Sequence, residues 1–147
     1  MEVAKKVVFI KDWILNYVNS MPVKAQSLII GISGGIDSSV TSTLCAMTGL
    51  KTIVLTMPIR QNKEQNDLSL LHKEWLSNKF NNEHGMANSR ARLRMSTLYQ
   101  VAAANNGIVV GTGNKVEDFG VGFYTKYGDG GVDISPIADC NKCKSGN

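Results

Sequence analysis

The hydrophobic pattern of the first thirty residues changes from helical spacing to an unbroken apolar run. In residues 3–19, apolar side chains recur at steps of three and four, which predicts an amphipathic helix. This stripe consists of Val3, Val7, Ile10, Ile14 and Tyr17, widened by Trp13 and Val18. The next apolar run, SLIIGI at residues 27–32, is typical of a strand that is buried on both faces.

The same alternation continues through the next eighty residues. We predict further helices at residues 38–48, 63–80 and 87–105, and further buried strands at 51–57 (KTIVLTM) and 108–112 (IVVGT). Gly49 is expected to cap the helix at 38–48, and Gly107 to end the helix at 87–105. The sequence NNEHG at residues 81–85 is expected to break the chain between the other two helices.

Helices and strands that alternate in this order predict an α/β fold, with a parallel sheet between two layers of helices. No linker or repeat divides the sequence, so we expect one Rossmann-like three-layer sandwich over residues 1–147. Ligands of such sheets bind beyond the carboxyl ends of the strands. Three unusual loops begin at that edge, after residues 32, 57 and 111.

Composition and charge narrow the possible functions. No run of 18 apolar residues occurs, and Lys11 and Asp12 interrupt the apolar N-terminus, so neither a membrane span nor a signal peptide is expected. The net charge of +4 suits anionic small molecules, and no basic block favours nucleic acid. Three cysteines without framework spacing indicate a reducing compartment, so we expect a cytoplasmic protein. Cys140 and Cys143 supply two of the four ligands of a structural zinc, and two reduced cysteines are the better interpretation.

The loop after the first predicted strand, GISGGIDSS at residues 31–39, combines features of an anion site with a carboxylate. Glycines let a phosphate approach the backbone, and the start of a helix favours an anion. Asp37 fits such a site if it holds a divalent cation beside the phosphate. The loop has no lysine, unlike a Walker A motif, and it is not a G-x-G-x-x-G fingerprint. The alternative is a simple turn in which Asp37 or Ser38 caps the helix.

The pattern SGGIDSS is similar to the pyrophosphate-binding loop of the N-type ATP pyrophosphatases, which cut ATP between its α- and β-phosphates. Three later segments, ANSRARLRM at 87–95, GTGNKVED at 111–118 and GFYTKYGDGGVDISP at 122–136, together resemble ammonia-dependent NAD synthetase. The resemblance covers residues 28–142 and implies an adenine nucleotide alpha hydrolase-like fold. It also implies that ATP adenylates the nicotinate carboxylate of deamido-NAD, and that ammonia then gives NAD, AMP and pyrophosphate.

The resemblance implies roles for individual residues. It also implies a homodimer in which both chains border the deamido-NAD site. The ATP-binding residues would be Gly31, Ile32, Ser33, Gly34, Gly35, Ile36, Asp37, Ser38, Thr112 and Lys142. Those that bind deamido-NAD would be Arg92, Lys126 and Asp133. Asp37 and Glu117 would hold Mg2+, and the loop and metal would stabilise charge without an assigned catalytic side chain.

Each of these segments also has a plain alternative. Arg90, Arg92 and Arg94 would form a solvated helix face, Glu117 would start a helix, and the glycines near residue 130 would form a turn. Leu93, Leu98 and Val101 would serve either a dimer contact or the core.

The sequence departs from the family in two places. Members carry a longer segment before ANSRARLRM, and they continue with further helices beyond the position of Asn147. One alternative function is therefore a remnant that binds ATP or pyrophosphate without forming NAD. Another is a different adenylating enzyme, such as a tRNA-thiolation enzyme, for which Cys140 and Cys143 are the hint. A chain of 147 residues leaves no room for a glutaminase domain, so free ammonia is the expected nitrogen donor, unless a separate subunit supplies it.

Overall fold

The computed structural model describes residues 2–57, 83–115, 128 and 130–140, with the backbone alone for 83–87. The helices of this part of the chain are α1 (Val3–Ser20), α2 (Ile36–Met47) and α3 (Glu83–Ala104). Its strands are β1 (Ser27–Ile32), β2 (Lys51–Thr56) and β3 (Gly107–Val110). They form a parallel sheet, as the alternating pattern predicts, and their order in the sheet is β2-β1-β3. None of the described helices is long and apolar enough to cross a membrane, and the helix predicted at 63–80 lies outside the described residues.

Strand β1 lies at the centre of the described sheet and is buried on both faces, as predicted. Leu28 and Ile30 point to one face and Ile29 to the other, and all three are 0% exposed. The first face packs in one cluster with α1, α2 and β3 through Ile14, Val18, Cys45, Ile108, Val110 and Ile134. The second face packs against α3 through Met95, Leu98, Ala102 and Val109. Each fully buried valine, leucine or isoleucine side chain of these clusters contributes about 1.5–3 kcal/mol.

Strand β2 is less buried than its sequence predicts. In the described part of the chain it pairs with β1 alone, in the register Ser27 with Lys51 through Ile32 with Thr56. It therefore lies at an edge, and Val54 is 42% exposed. The prediction of a second fully buried strand is wrong, whereas β3 is buried as expected. An apolar run does not distinguish an edge strand from a central one, because both have the same composition.

Helix α1 ends one residue later than predicted, at Ser20, and has a narrower buried stripe than expected. Ile14 and Val18 are buried, whereas Val3 is 76% exposed. Trp13 and Tyr17, which the pattern places inward, are also exposed, and their rings lie 5.9 Å apart on the helix surface. One side of the helix contacts α2 and the sheet, so the residues that widen the sequence stripe fall outside the contact.

Both ends of α3 differ from the prediction. The helix begins at Glu83, so the expected break at 81–85 is wrong for its last three residues. A glycine inside a helix costs about 1 kcal/mol, which the packing of a long helix offsets. At the other end the helix stops at Ala104, and Asn106 takes the left-handed conformation with φ 48°. Gly107 therefore does not end the helix; it is the first residue of β3.

Gly107 is required by the close approach of β3 to β1. A Cβ atom at this position would lie 2.7 Å from the carbonyl oxygen of Ser27, its partner in the register, and would also meet the Ser27 hydroxyl. We expect Gly107→Ala to lower the free energy of unfolding by about 1–3 kcal/mol, measured by urea denaturation, because the strands must separate. Ser27→Ala combined with Gly107→Ala should recover part of the loss, since the backbone clash remains. A Gly107→Ala chain as stable as the unmodified one would contradict this packing.

Candidate functional site

The loop between β1 and α2 presents backbone N–H groups at the start of a helix. Gly35 is the N-cap residue of α2 and no side chain caps this end, so the alternative in which Asp37 or Ser38 is the N-cap is wrong. Gly34 has φ +85°, a conformation that favours glycine, and a Cβ there would meet no atom within 4 Å. An open, left-handed glycine before an uncapped helix leaves the backbone accessible to an anion.

Two serine hydroxyls hold the loop together from inside. Ser38 is 2% exposed, and its Oγ donates to the Gly35 carbonyl at 3.0 Å. The same oxygen accepts the Ser33 N–H at 3.3 Å and lies 3.3 Å from Ser33 Oγ, which accepts the Gly35 N–H at 3.3 Å. Bonds of 3.3 Å are at the long end of the range, so the better geometry of a phosphate oxygen can replace them.

Asp37 lies in the first turn of α2 and contacts the segment that follows β3. Its Oδ2 accepts a hydrogen bond of 3.0 Å from Asn114 Nδ2, across 77 residues of sequence. Strands β1 and β3 are adjacent and parallel, so their carboxyl ends meet at one edge of the sheet. Thr112 lies half-buried in the same segment, two residues after β3 ends. The structure therefore brings together two of the predicted ATP-binding regions.

A third segment, residues 130–140, follows the outer edge of β3. Ile134 forms a parallel bridge with Val110 and accepts the Gly111 N–H at 2.8 Å. At the far end, the Lys115 N–H donates to the Cys140 carbonyl at 3.1 Å. The residues after β3 thus lie between the loop at residues 33–38 on one side and residues 130–140 on the other.

Helix α3 carries Arg92 to a level beyond this edge of the sheet. The helix runs into β3, so it is antiparallel to the strands, and Leu98 packs beside Gly31 near the end of β1. Arg92 is exposed and precedes Leu98 by six residues, which is about 9 Å along a helix axis. The first turns of α3 therefore extend beyond the carboxyl ends of the strands, where the ligands of such sheets bind.

Three predicted site residues, Glu117, Lys126 and Lys142, lie outside the described residues, as does Cys143. Among the residues that the structure does describe, no three His, Cys, Asp or Glu side chains cluster to hold a metal ion. Asp37 is the described carboxylate of the loop between β1 and α2. Magnesium takes one or two carboxylates and completes its shell with phosphates and water, so a carboxylate beside a loop with anion-site geometry fits this ion.

With this geometry established, comparison with known proteins decides the family. A family model described as NAD synthase matches residues 6–83 and 69–146. The chain belongs to the NAD synthase family. A relative from Alkaliphilus metalliredigens, an NH(3)-dependent NAD(+) synthetase, is 37% identical over 172 residues, covering 97% of this chain and 68% of the relative. One of the same name from Buchnera aphidicola is 33% identical over 175 residues, and the chain spans 63% of its length.

Solved structures of related synthetases share the fold. The NH3-dependent NAD synthetase from Campylobacter jejuni, in complex with the nitrate ion, superposes with a TM-score of 0.81 at 29% identity, over 97% of this chain and 69% of that one. An NMN synthetase from Francisella tularensis has a TM-score of 0.67 at 33% identity, over 92% and 63% of the two chains. The predicted α/β, adenine nucleotide alpha hydrolase-like fold is therefore confirmed.

In this member of the NAD synthase family, both carboxylate oxygens of Asp133 contact other residues of the chain. Its Oδ2 accepts the Val109 N–H at 2.7 Å, and its Oδ1 lies 3.4 Å from the Tyr99 hydroxyl of α3. Val109 is fully buried at the edge of β3, so the carboxylate takes the place of a strand partner for this N–H. Asp133 thus attaches residues 130–140 to the sheet, whatever it also binds.

Two residues of this region have contacts that their sequence patterns did not indicate. Asn114 stands inside the quoted segment GTGNKVED and received no role, and Tyr99 received none either. The available signal for Asn114 was its position just beyond a strand end, on the same edge as Asp37. Cys45, by contrast, has no site role: burial raises the pKa of its thiol to about 12, so it stays protonated and unreactive.

The bond between Asp133 and Val109 predicts how the stabilities of three variants compare. Asp133→Ala leaves a buried N–H without its partner and should lower the free energy of unfolding by about 1–3 kcal/mol. Asp133→Asn should lose less, because the amide oxygen still accepts. Asp139→Ala, at an exposed carboxylate of the same segment, is the control and should change stability by less than about 0.5 kcal/mol. Equal losses at the two aspartates, measured by urea denaturation, would contradict the assignment.

The environment of Tyr99 predicts that the folded chain becomes less stable at alkaline pH. Burial, and then the charge and hydrogen bond of Asp133, raise the pKa of Tyr99 above its usual value of 10.0. The folded chain therefore keeps this proton longer than the unfolded chain, so its stabilising effect is present below pH 10 and is lost as pH rises through the raised pKa. Asp133→Asn should lower the pKa of Tyr99 without returning it fully to normal, because burial remains. Absorbance titration near 295 nm, with Tyr99→Phe to identify the group, measures the shift.

Proposed function

We propose that this chain catalyses the final step of NAD synthesis, the ATP-dependent amidation of deamido-NAD by ammonia. The observation that carries the proposal is the bond between Asp37 and Asn114, which joins a phosphate-type loop and the GTGN segment at one edge of the sheet. The family membership and the NH(3)-dependent relatives support the choice of reaction and nitrogen donor.

The proposed reaction has two steps. The nicotinate carboxylate of deamido-NAD attacks the α-phosphorus of ATP, and pyrophosphate leaves. Ammonia then attacks the carbonyl carbon of the mixed anhydride, AMP leaves with the bonding electron pair, and a proton is lost to give the amide of NAD. Charge builds on the leaving phosphates in the first step, so donors aimed at them stabilise its transition state.

We assign the phosphates of ATP to residues 31–38, with Thr112 and Lys142 as further contacts. The uncapped start of α2 and the open backbone at Gly34 support this assignment. Asp37 would hold Mg2+ together with Glu117, and the ion would offset the charge of the phosphates. The chain itself binds and orients ATP by fixing the loop against Asn114.

We assign deamido-NAD to Arg92, Lys126 and Asp133. The direction of α3 supports Arg92, since its first turns reach beyond the strand ends. A carboxylate has about four acceptor positions, so Asp133 has capacity for a ligand besides Val109 and Tyr99. Both assignments place the dinucleotide between the start of α3 and the segment that follows residue 130.

The cellular setting and assembly are also proposals. A cytoplasmic location agrees with Cys45 and Cys140, which are free cysteines. A homodimer agrees with Leu93, which is 66% exposed on α3, whereas Leu98 is buried and Val101 packs against the core. We expect residues 1–147 to form one domain.

The direct test is to incubate the purified chain with deamido-NAD, ATP, Mg2+ and ammonium and to measure NAD and AMP by chromatography. We expect equal amounts of both products. Nicotinate mononucleotide should be tested as a second substrate, because one similar structure is an NMN synthetase. Asp37→Asn should lower the rate by at least about a hundredfold. Asp12→Asn, at an exposed acid paired with Lys11, is the matched control and should leave it unchanged.

The outcomes separate the proposed enzyme from its alternatives. ATP binding without NAD formation at any enzyme concentration would favour a non-catalytic remnant. Amidation of nicotinate mononucleotide in preference to deamido-NAD would keep the reaction and change the substrate. Full activity of Asp37→Asn would remove the proposed metal role of this carboxylate.

A further inference from the structure

Asn114 is a polar residue placed where a loop residue is usually solvated. It follows β3 by four residues, yet it is 1% exposed. Its Nδ2 donates to Asp37 Oδ2 at 3.0 Å. Burying an amide side chain costs free energy unless it is hydrogen-bonded, so the burial of Asn114 depends on what it contacts.

The donor is neutral, and this matters for the carboxylate that receives the bond. A lysine or arginine at this place would form an ion pair with Asp37 and would compete with a metal ion for it. An amide N–H fixes the orientation of the carboxylate and leaves its negative charge in place. One such bond takes one of the about four acceptor positions of a carboxylate, so the bond itself does not exclude a cation.

The bond also links the segments that follow two different strands, β1 and β3. Asp37 belongs to the first turn of α2, and Thr41 of the next turn donates its hydroxyl to the Asp37 carbonyl at 2.8 Å. Asn114 belongs to the segment anchored by the bond from Lys115 N–H to the Cys140 carbonyl. The position of the carboxylate is therefore set by both loops together.

We propose that Asn114 is a positioning residue that holds the Asp37 carboxylate in the orientation needed to bind Mg2+ with the phosphates of ATP. The inference rests on the proposed function for the role of Asp37 itself. Without the amide, the carboxylate loses a contact that orders it, and metal binding must supply the cost of that ordering. Loss of such a supporting contact weakens metal binding by about 10–100-fold.

The test compares Mg2+-pyrophosphate binding, by calorimetry, with stability in the absence of Mg2+. Asn114→Leu keeps the side-chain volume and removes the donor, and Asn114→Ala is the second variant should leucine prevent folding. We expect either to weaken binding about 10–100-fold. In an Asp37→Ala background the same change should have no further effect, because the carboxylate it positions is gone.

A control at the opposite edge separates positioning from stability. Asn105 also uses its side-chain amide, donating to the Val101 carbonyl at 2.8 Å before β3 begins. Asn105→Leu should lower the free energy of unfolding and leave Mg2+-pyrophosphate affinity unchanged. If Asn114→Leu behaves like Asn105→Leu, the role of Asn114 is structural and the inference is wrong.

Magnesium dependence gives a second readout. In Asn114→Leu, raising the Mg2+ concentration should restore binding of pyrophosphate, because the Asp37 carboxylate is present but poorly oriented. In Asp37→Ala, raising the Mg2+ concentration should not restore binding, because this carboxylate is absent. If Asp37→Ala binds Mg2+-pyrophosphate normally, the proposed metal role fails. If Asp37→Ala is impaired and Asn114→Leu is not, the positioning role alone fails.

A third measurement leaves Asn114 in place and remains decisive even if neither variant folds. The side-chain amide resonance of Asn114 in the 15N-labelled chain should shift when Mg2+-pyrophosphate binds. It should also move in Asp37→Ala without ligand. A resonance that responds to neither change would overturn the inference.

Discussion

The burial of β1 on both faces is the constraint on which the described structure depends. Leu28, Ile29 and Ile30 alternate between the two faces, and each face requires its own cover. Helices α1 and α2 cover one side and α3 covers the other. Since both neighbouring strands are parallel to β1 and in register with it, the loops that leave their carboxyl ends emerge together. The site is placed by the same packing that forms the core.

The proposed ATP site has to hold like charges close together. The start of α2 favours a negative group, and both a phosphate and Asp37 are negative. The helix stabilises the carboxylate by itself, but a phosphate beside it needs a cation between the two. The neutral amide of Asn114 is consistent with this need, because it orients the carboxylate without removing the charge that attracts the metal.

Much of the framework could be predicted from sequence, because it follows from local patterns. The run SLIIGI gives a doubly buried strand, and GISGGIDSS gives the start of a helix with an open glycine. Exposure could not be predicted in the same way: Trp13 fits the stripe of α1 but lies beyond its contact, and Val54 lies in an edge strand. These outcomes depend on which elements become neighbours, and periodicity does not contain that information.

Contacts between residues that are distant in sequence are a second feature of the structure that could not be predicted. Asp37 and Asn114 were both in segments selected for the site, but a side-chain bond across 77 residues follows from the register of β1 and β3. Asp133 shows the same limit, since its bond to Val109 exists because residues 130–140 follow the edge of β3. In each case a motif identifies the residue, and the sheet decides its partner.

The shorter central segment can be placed in this framework. The alignment to the Buchnera relative spans 175 positions against a chain of 147 residues, so the relative carries residues that this chain lacks. The family model matches in two stretches that overlap at residues 69–83, which places the shortening between β2 and α3. The loop after β1, the segment after β3 and the direction of α3 are all fixed by contacts on the sheet. The contact between Asp37 and Asn114 is therefore formed by elements on either side of the shortened segment.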